Sequence, residues 1–505
     1  MKQPQVYLVG AGPGDPELIT AKGLRCLQLA DMVVYDNLVN TRLLEHTREG
    51  CEHVFVGKEA GRHSLPQEEI QELLVREAKE GNCVVRLKGG DPLVFGRGGE
   101  EAEALAKEGI SFEIVPGVTA ALAAASYSGI SLTHRDHASA VTFITGHENP
   151  DKHEPRVDFA KFAQNGSTLC IYMGMGQLRS ICERLIDGGL AADTPVAVVR
   201  WATLQKQQSV QGTIATIADI VDEAELGPPA LVFVGPVVQT QKAIGWFEQR
   251  PLFGKRIAIT RRKEQAGELR TALEQAGAEV LELPLIEIKE AVETETFDDV
   301  CSELWGYRWL VFTSPNGVRY FMKNFLEKFE DMRSLGLVRI AAIGDATARE
   351  VRKHYLRVDL IPEEATSEKL AEQLLAYETL ESEKVLLVTG NRNRDVLHKA
   401  LEEAGVIVDA LPVYATELND LSSNPDVERF RSEGCDALVF ASSSAVQSFA
   451  DQAASLQLAE GAKRPKGVSF GPITAEKMKQ MHVPVDIVSK YASIPALVET
   501  LIEAL

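Results

Sequence analysis

The stretch VVRLKGGDPLVFGRGGEE, Val84 to Glu101, decides how the rest of the chain is read. A strand-forming run ends abruptly in Gly89, Gly90, Asp91 and Pro92, and Gly96, Arg97, Gly98 and Gly99 follow before two glutamates. Glycine has no Cβ, so backbone here can approach a ligand to contact distance. The Asp91 carboxylate can accept hydrogen bonds from a ribose diol or an ammonium group. Three further strand ends carry the same mark: VYLVGAGPGD (Val6–Asp15), VPGVTAA (Val115–Ala121) and Tyr172-Met173-Gly174. Four such ends in roughly 250 residues exceed what turns require, and they predict a crevice at the carboxyl ends of parallel strands.

The first of these loops invites a nicotinamide reading. Gly10 and Gly12 fit G-x-G-x-x-G, and Asp36 ends a second strand about 20 residues on. The third glycine position, however, holds Asp15, and Pro13 removes a backbone N–H that a pyrophosphate would use. No G-K-[ST] follows, so the loop is not a Walker A loop either. An oxidoreductase built on this loop is therefore the weaker alternative.

Composition bounds the rest. At about 150 residues per domain, 505 residues correspond to roughly three compact units. A hydrophobic content of 45% suits several cores and excludes disorder. No apolar run reaches the ~18–20 residues of a membrane span, and the N-terminus lacks the features of a signal peptide, so a cytoplasmic protein without a membrane partner is expected. Seven cysteines occur singly, without a C-x-x-C pair, which argues against a zinc ribbon or a disulfide framework. His134, His137 and His147 do not form an H-E-x-x-H pattern, and no metal site is expected. The net charge of −20 argues against nucleic acid as a partner. A polyanionic substrate would have to be met by a local cluster of arginine, lysine and backbone N–H groups.

Short β-branched runs such as QVYLVG, ADMVVYD, AVTFITG and PALVFVG alternate with helical patterns, which predicts an α/β fold with mostly parallel strands. The pattern restarts at RIAIT after a short Pro- and Gly-containing join, so a boundary is expected at about 248–254. The second half repeats itself. LRTALEQAGAEV (Leu269–Val280) aligns with LHKALEEAGVIV (Leu397–Val408), LVFTSPNGVRYF (Leu310–Phe321) with LVFASSSAVQSF (Leu438–Phe449), and IGDATA (Ile343–Ala348) with FGPITA (Phe470–Ala475). The offsets are all about 128 residues, too long for a solenoid, and they predict two related lobes with a ligand cleft between them.

GAGPGD, YDNLV, GKEAGRHSLPQEEI, VVRLKGGDPLVFGRGGEE, VPGVTAALAAASYSGISLTHRD, ITGH, YMG and PALVFVGPVV…WF, in that order over about Val6–Phe247, resemble uroporphyrinogen-III C-methyltransferase of the tetrapyrrole methylase family. The resemblance implies a two-lobed methylase domain over 1–248 that uses S-adenosylmethionine (SAM) and no metal. It implies cofactor contacts from Pro13, Gly89, Gly90, Asp91, Val94, Thr119, Ala120, Met173 (through its backbone) and Ala202. It assigns proton acceptor to Asp36 and proton donor to Lys58, which fits a macrocycle that must lose a proton after its carbon attacks a methyl group. It turns Arg97 toward the acidic substrate, whose carboxylates match the guanidinium fork. Arg135 is expected to line the same cleft. Leu93 stands where the family usually has Phe, and Gly57-Lys58-Glu59 where it has GKR. Homodimerisation through this half is the family's implication.

TRRKE (Thr260–Glu264), FTSPNGV (Phe312–Val318), AIGDATA (Ala342–Ala348), PVYAT (Pro412–Thr416), FASSSAV (Phe440–Val446) and GPITAE (Gly471–Glu476) resemble uroporphyrinogen-III synthase. The resemblance implies a two-lobed synthase over 252–505, one lobe from about 252–286 plus 416–505 and the other from about 288–414. Its substrate would be hydroxymethylbilane, which loses water and closes with inversion of one ring. Strand-end hydroxyls and N–H groups suit a polycarboxylate, so Thr313, Ser314, Asn316 and Gly317 on one lobe and Ser442, Ser443, Ser444 and Thr474 on the other are candidate contacts. The same residue types cap helices routinely. Tyr414 matches the family's cleft tyrosine, and a core tyrosine is the competing reading. The expectation is a bifunctional enzyme that makes uroporphyrinogen III and methylates it twice to precorrin-2, leaving sirohaem and cobalamin both open as end products. A catalytically idle two-lobed sensor is the alternative for the second half.

Overall fold

The computed structural model describes residues 5–57, 65–146, 157–260, 263–391, 396–422 and 424–505. By compactness the chain divides into Met1–Ile257 with Leu269–Val280 and Val498–Leu505, and Ala258–Glu268 with Leu281–Leu497.

Strands β1 (Val6–Gly10), β2 (Met32–Tyr35), β3 (Glu52–Phe55), β4 (Val84–Lys88) and β5 (Phe112–Val115) form a sheet in the order β3-β2-β4-β1-β5. All its pairings are parallel. A parallel sheet is covered on both faces, so its strands are apolar at consecutive positions. In β1, Val6 and Leu8 join a core on one face, and Tyr7 and Val9 join a core on the other. β4 follows the same alternation, with Val84 on the first face and Val85 and Leu87 on the second. Alternation then puts Arg86 and Lys88 on the Val84 face, inside a core.

Strands β6 (Val141–Thr145), β7 (Thr168–Tyr172), β8 (Pro195–Arg200), β9 (Gln208–Thr213) and β10 (Ala230–Val234) form a mixed sheet in the order β6-β7-β10-β8-β9. Only β6 and β7 pair in parallel; β10 runs antiparallel to β7 and β8, and β9 antiparallel to β8. Cys170 and Tyr172 of β7 face the core that also holds the helix Ala120–Ser128.

β11 (Arg256–Ile259) and β12 (Glu279–Glu282) open a third sheet, which the chain then leaves. β13 (Ile286–Glu290), β14 (Tyr307–Phe312), β15 (Arg339–Ala342), β16 (Lys384–Gly390) and β17 (Ile407–Leu418) build a fourth in the order β13-β17-β16-β14-β15, with β13 antiparallel at its edge. The chain returns with β18 (Ala437–Phe440), β19 (Lys466–Ser469) and β20 (Ile487–Val488), so the third sheet reads β12-β11-β18-β19-β20. The repeat seen in the sequence maps onto matching elements. β14 and β18 each run into a helix, Pro315–Phe329 and Ser443–Asp451, and β15 and β19 into Asp345–Lys353 and Pro472–Gln480. The four-strand order β12-β11-β18-β19 in one sheet is the order β17-β16-β14-β15 in the other.

Candidate active sites

The loops after β1, β4, β5, β7 and β8 meet at one end of the first two sheets. Gly12 and Gly90 exchange backbone hydrogen bonds, 3.2 and 2.9 Å, tying the first loop to the second. Asp91 ties the second to the third, because its Oδ2 accepts from the Gly117 N–H at 3.0 Å while Oδ1 accepts from Leu93 N–H at 2.8 Å. Thr119 Oγ1 lies 2.7 Å from Tyr172 Oη, which also accepts from the Ala121 N–H at 3.0 Å, so the third loop is anchored to the end of β7. Thr203 Oγ1 donates to the Pro13 carbonyl at 2.5 Å and accepts from Asp15 N–H at 2.8 Å, joining the loop after β8 to the first. Val94, Ala120 and Ala202 pack against the same core. Pro13, Gly89, Gly90, Asp91, Val94, Thr119, Ala120, Met173 and Ala202, spread over about 190 residues of sequence, thus share one neighbourhood.

The glycines do less for a ligand, and more for the chain, than the loop pattern implies. A Cβ on Gly117 would sit 2.3 Å from the Gly90 carbonyl oxygen and 2.8 Å from Gly10 Cα, so these loops need bare backbone to touch each other. Gly89 likewise packs on Leu38. Gly90 differs. Its φ of +70° is the left-handed conformation that glycine adopts without strain, and a Cβ there would meet nothing nearer than 3.6 Å. That space, bordered by Thr119 and Ala120, is where a ligand can lie against main chain. Non-glycine residues in the same loops are held left-handed: Phe95 at 54°, Arg97 at 58°, Met173 at 53°, Trp201 at 50° and Thr203 at 74°. Such strain costs of order 1–3 kcal/mol per residue and gathers at functional sites. Met173 is half exposed at the end of β7, as are Leu93 and Phe95 after β4, which gives the neighbourhood an apolar rim.

Asp36 ends β2 beside this neighbourhood. Its Oδ2 accepts from Arg86 Nη2 at 3.2 Å and its Oδ1 from the Leu38 N–H at 3.2 Å. Behind it lies a charge network that the sequence reading missed. Arg86 and Lys88 of β4 are buried, and Glu101 on the helix Gly98–Lys107 is fully buried. Glu101 Oε1 accepts from Lys88 Nζ at 2.9 Å, Gln67 Nε2 at 3.1 Å and Arg86 Nε at 3.2 Å, while its Oε2 is buried without a partner. Burial, then the neighbouring Arg86 guanidinium, lowers the Lys88 pKa against the opposing pull of Glu101. The signal was present: two cations at i and i+2 in an apolar strand must find a buried partner, and Glu100-Glu101 follow.

Three expected contacts, Arg97, Asp91 and Arg135, have other partners or surroundings in the chain itself. The Arg97 fork is engaged by its own helix, donating to Glu100 Oε1 from Nε at 3.0 Å and to Oε2 from Nη2 at 2.7 Å. Both side chains are about half exposed, where such a pair is worth ~0–1 kcal/mol, so exchanging Glu100 for a substrate carboxylate costs little. Asp91 is occupied in holding two loops together rather than open on both oxygens. Arg135 is exposed on the loop between Thr133 and Ala138, and none of the contacts above brings it to the cluster. Lys58 and His147 lie outside the described residues. Among the described residues no group of three His, Cys, Asp or Glu side chains is placed to hold a metal ion.

In the second half, Ser314 and Ser442 are N-caps. Each accepts from the backbone N–H three residues on, Gly317 at 3.0 Å and Ala445 at 3.2 Å. Ser314 Oγ also donates to Tyr414 Oη at 3.0 Å. Thr313 Oγ1 donates to the Val388 carbonyl at 3.1 Å, and the buried Asn316 accepts from Arg319 Nη1 at 3.4 Å. Tyr414 is partly buried, packs against the core of this sheet and stacks on Tyr320, with ring centroids 6.3 Å apart. On the other sheet, Ser443 and Ser444 line an open cavity of ≈ 700 Å³ with Gln447, Ile473, Glu476, Lys477 and Gln480. Thr474, in the helix Pro472–Gln480, is buried and does not line it; the helical turn that sets Ile473 and Lys477 on the cavity turns Thr474 inward.

The two halves match two protein families. Residues 5–218 match the tetrapyrrole (corrin/porphyrin) methylases, and residues 267–499 match uroporphyrinogen-III synthase HemD. A porphyrin biosynthesis protein HemD from Ruminiclostridium josui is 35% identical over 498 residues, covering 99% of this chain and 97% of that protein. A uroporphyrinogen-III C-methyltransferase from Bacillus subtilis is 38% identical over 361 residues, 72% of this chain and 74% of that protein. Another from Priestia megaterium is 50% identical over 234 residues, 46% of this chain and 98% of that protein. The chain belongs to the family in which a tetrapyrrole methylase and a uroporphyrinogen-III synthase are fused. Both parts are enzyme families, a transferase and a lyase.

Proposed function

We propose that the chain cyclises hydroxymethylbilane to uroporphyrinogen III with its second half, residues 252–505, and methylates that product twice with its first, residues 1–248, giving precorrin-2. The observation that carries the first activity is the meeting of five strand-end loops around the open face of Gly90, where strained backbone and an apolar rim adjoin a carboxylate, Asp36, held by Arg86. The residues present fit SAM: unhindered main chain at Gly90, Thr119 and Ala120 would hold it, with Pro13, Val94, Met173 and Ala202 around it. When bound, it supplies an electrophilic methyl group.

The protein's own part is to place the macrocycle and take its proton. Leu93 and Phe95 offer apolar surface to a tetrapyrrole face, and Arg97 exchanges Glu100 for one of its carboxylates. Asp36 accepts the proton that the methylated ring releases, and Arg86 keeps that carboxylate aimed. Lys58 is the proposed proton donor. No metal enters the reaction we propose. The setting we propose is the cytoplasm, with a homodimer formed through the first half. No helix among the described residues is long and apolar enough to cross a membrane.

The decisive experiment supplies hydroxymethylbilane and SAM to the purified chain and identifies the product by mass and isomer type. Doubly methylated type III product is expected. Type I uroporphyrinogen alone would reject the synthase reading, and unmethylated type III the methylase reading. Sedimentation of the full chain tests the dimer.

A further inference from the structure

Tyr414 and Ser314 belong to different stretches of the fourth sheet, one within β17 and one at the turn after β14, and the fold brings their hydroxyls to 3.0 Å. The direction of that hydrogen bond matters. Ser314 Oγ already accepts from the Gly317 N–H at 3.0 Å, as the cap of the 15-residue helix Pro315–Phe329. A serine hydroxyl has one proton, and here it goes to the phenol oxygen. Tyr414 is therefore the acceptor toward Ser314, and its own O–H is left to donate away from the protein.

The ring is held so that it cannot swing off this partner. A Cβ on Gly390 would fall 2.4 Å from Tyr414 Cζ and 2.5 Å from Cε2, so the ring lies flat on bare backbone. Tyr320 stacks on it at an interplanar angle of 23° and is itself fixed by donating from Oη to the Ile288 carbonyl at 3.2 Å. The positive end of the helix lies behind Ser314 and polarises its O–H toward the phenol. The matching cap of the internal repeat, Ser442, has no such partner: its Oγ meets Ser444 Oγ at 2.9 Å.

We infer that Ser314 is a positioning residue for proton transfer by Tyr414, orienting the phenol's O–H outward and stabilising the phenolate that remains. This rests on the reading of the second half as a synthase. In the step concerned, the Tyr414 proton passes to the hydroxyl oxygen of the substrate's hydroxymethyl group. The C–O bond breaks with its electron pair going to that oxygen, water leaves, and the adjoining pyrrole nitrogen shares the positive charge. The phenolate accepts a charge-assisted hydrogen bond from Ser314. Ring closure releases one proton from carbon, which returns to Tyr414, so the net change is loss of water.

The test measures the steady-state kinetics of type III uroporphyrinogen formation from hydroxymethylbilane by the full chain, with thermal unfolding of each variant alongside. A hydrogen bond to a charged acceptor corresponds to about 10- to 100-fold in rate. S314A is expected to lose that much in kcat with little change in KM, and S314T to recover it. S314D separates the two roles of the residue, because aspartate caps a helix as well as serine but has no proton to donate at pH 7. It is expected to melt near the wild type and to turn over as slowly as S314A. In a Y414F background, S314A should add no further loss. Wild-type kcat in S314D, or an undiminished effect of S314A in Y414F, would overturn the inference while leaving the synthase reading intact. A Y414F variant as fast as wild type would overturn the role of Tyr414 and the inference with it. A wild-type chain that yields only the type I isomer would overturn the synthase reading itself.

Discussion

Glu101→Gln tests the buried charge network behind Asp36. The substitution keeps the shape of the side chain and removes one charge. Arg86, Lys88, Glu101 and Asp36 together sum to zero, two cations against two carboxylates. With glutamine the sum becomes +1, in a site where the Arg86, Lys88 and Glu101 side chains are 4%, 5% and 0% exposed. Truncating one partner of a buried ion pair costs about 3–5 kcal/mol, because the charge left behind is uncompensated. At ~2–4 °C per kcal/mol for a unit of this size, the transition of the first unit should fall by roughly 6–20 °C. Circular dichroism of the full chain at pH 7.5 reads it. The control is E100Q, one residue away, whose exposed carboxylate pairs with Arg97 and should shift the transition by no more than about 4 °C. A second readout follows from position. Without the Glu101 carboxylate, Arg86 loses one of the two anions that fix it, so Asp36 is aimed less firmly and methyl transfer slows. An E101Q protein that melts within about 2 °C of wild type would refute the reasoning, since it would mean that water or relaxation already compensates these charges.

G117A should destabilise the first unit by about 1–3 kcal/mol and weaken SAM binding measured by calorimetry, because its Cβ would displace the Gly90 carbonyl, whereas G99A meets nothing within 4 Å and should do neither. Burial pushes the Cys170 thiol up to about 12 and Cys26, Cys182 and Cys301 up to about 11, so an Ellman titration of the folded protein should count at most the two partly exposed thiols, Cys51 and Cys83, against seven in guanidinium. Glu378 is held down to about 2, first by Arg308, with Arg339 and the Trp309 N–H adding to it. Its folded pKa lies below its unfolded one, so its stabilisation is present above pH ~4.5 and is lost as pH falls toward 2; urea unfolding should show the gap between wild type and E378Q narrowing over that range.

The glycine-marked strand ends led to the right neighbourhood for an incomplete reason. Loop composition announces that backbone comes close to something, but not to what. At Gly117 and Gly89 the something is the chain itself, whereas at Gly90, between Thr119 and Ala120, there is room for a ligand. Arg97 was legible as a carboxylate binder, yet its nearest carboxylate is one turn along its own helix. The Arg86–Lys88–Glu101 cluster was legible in principle, because charges inside an apolar strand are costly unless paired. Which carboxylate pairs with them depends on where the helix Gly98–Lys107 docks. Thr474 and Ser443 sit in equivalent-looking strand-end motifs, and the phase of the helix decides that one is buried and the other lines a cavity.

The sequence by itself determined the local units: strand, glycine turn, helix, and in the second half a strand–helix–strand pair written twice about 128 residues apart. Only the tertiary structure decided which units share a sheet. β11–β12 and β14–β15 stand in one copy of the repeat, β16–β17 and β18–β19 in the other, yet β11 pairs with β18 and β14 with β16, across the copies. Hydrophobic periodicity makes a strand apolar on both faces without naming its neighbour, because the backbone hydrogen bonds that join parallel strands carry no side-chain identity. The choice falls to how whole helices cover whole sheets, and it is that choice which brings the Tyr414 phenol to the hydroxyl of Ser314.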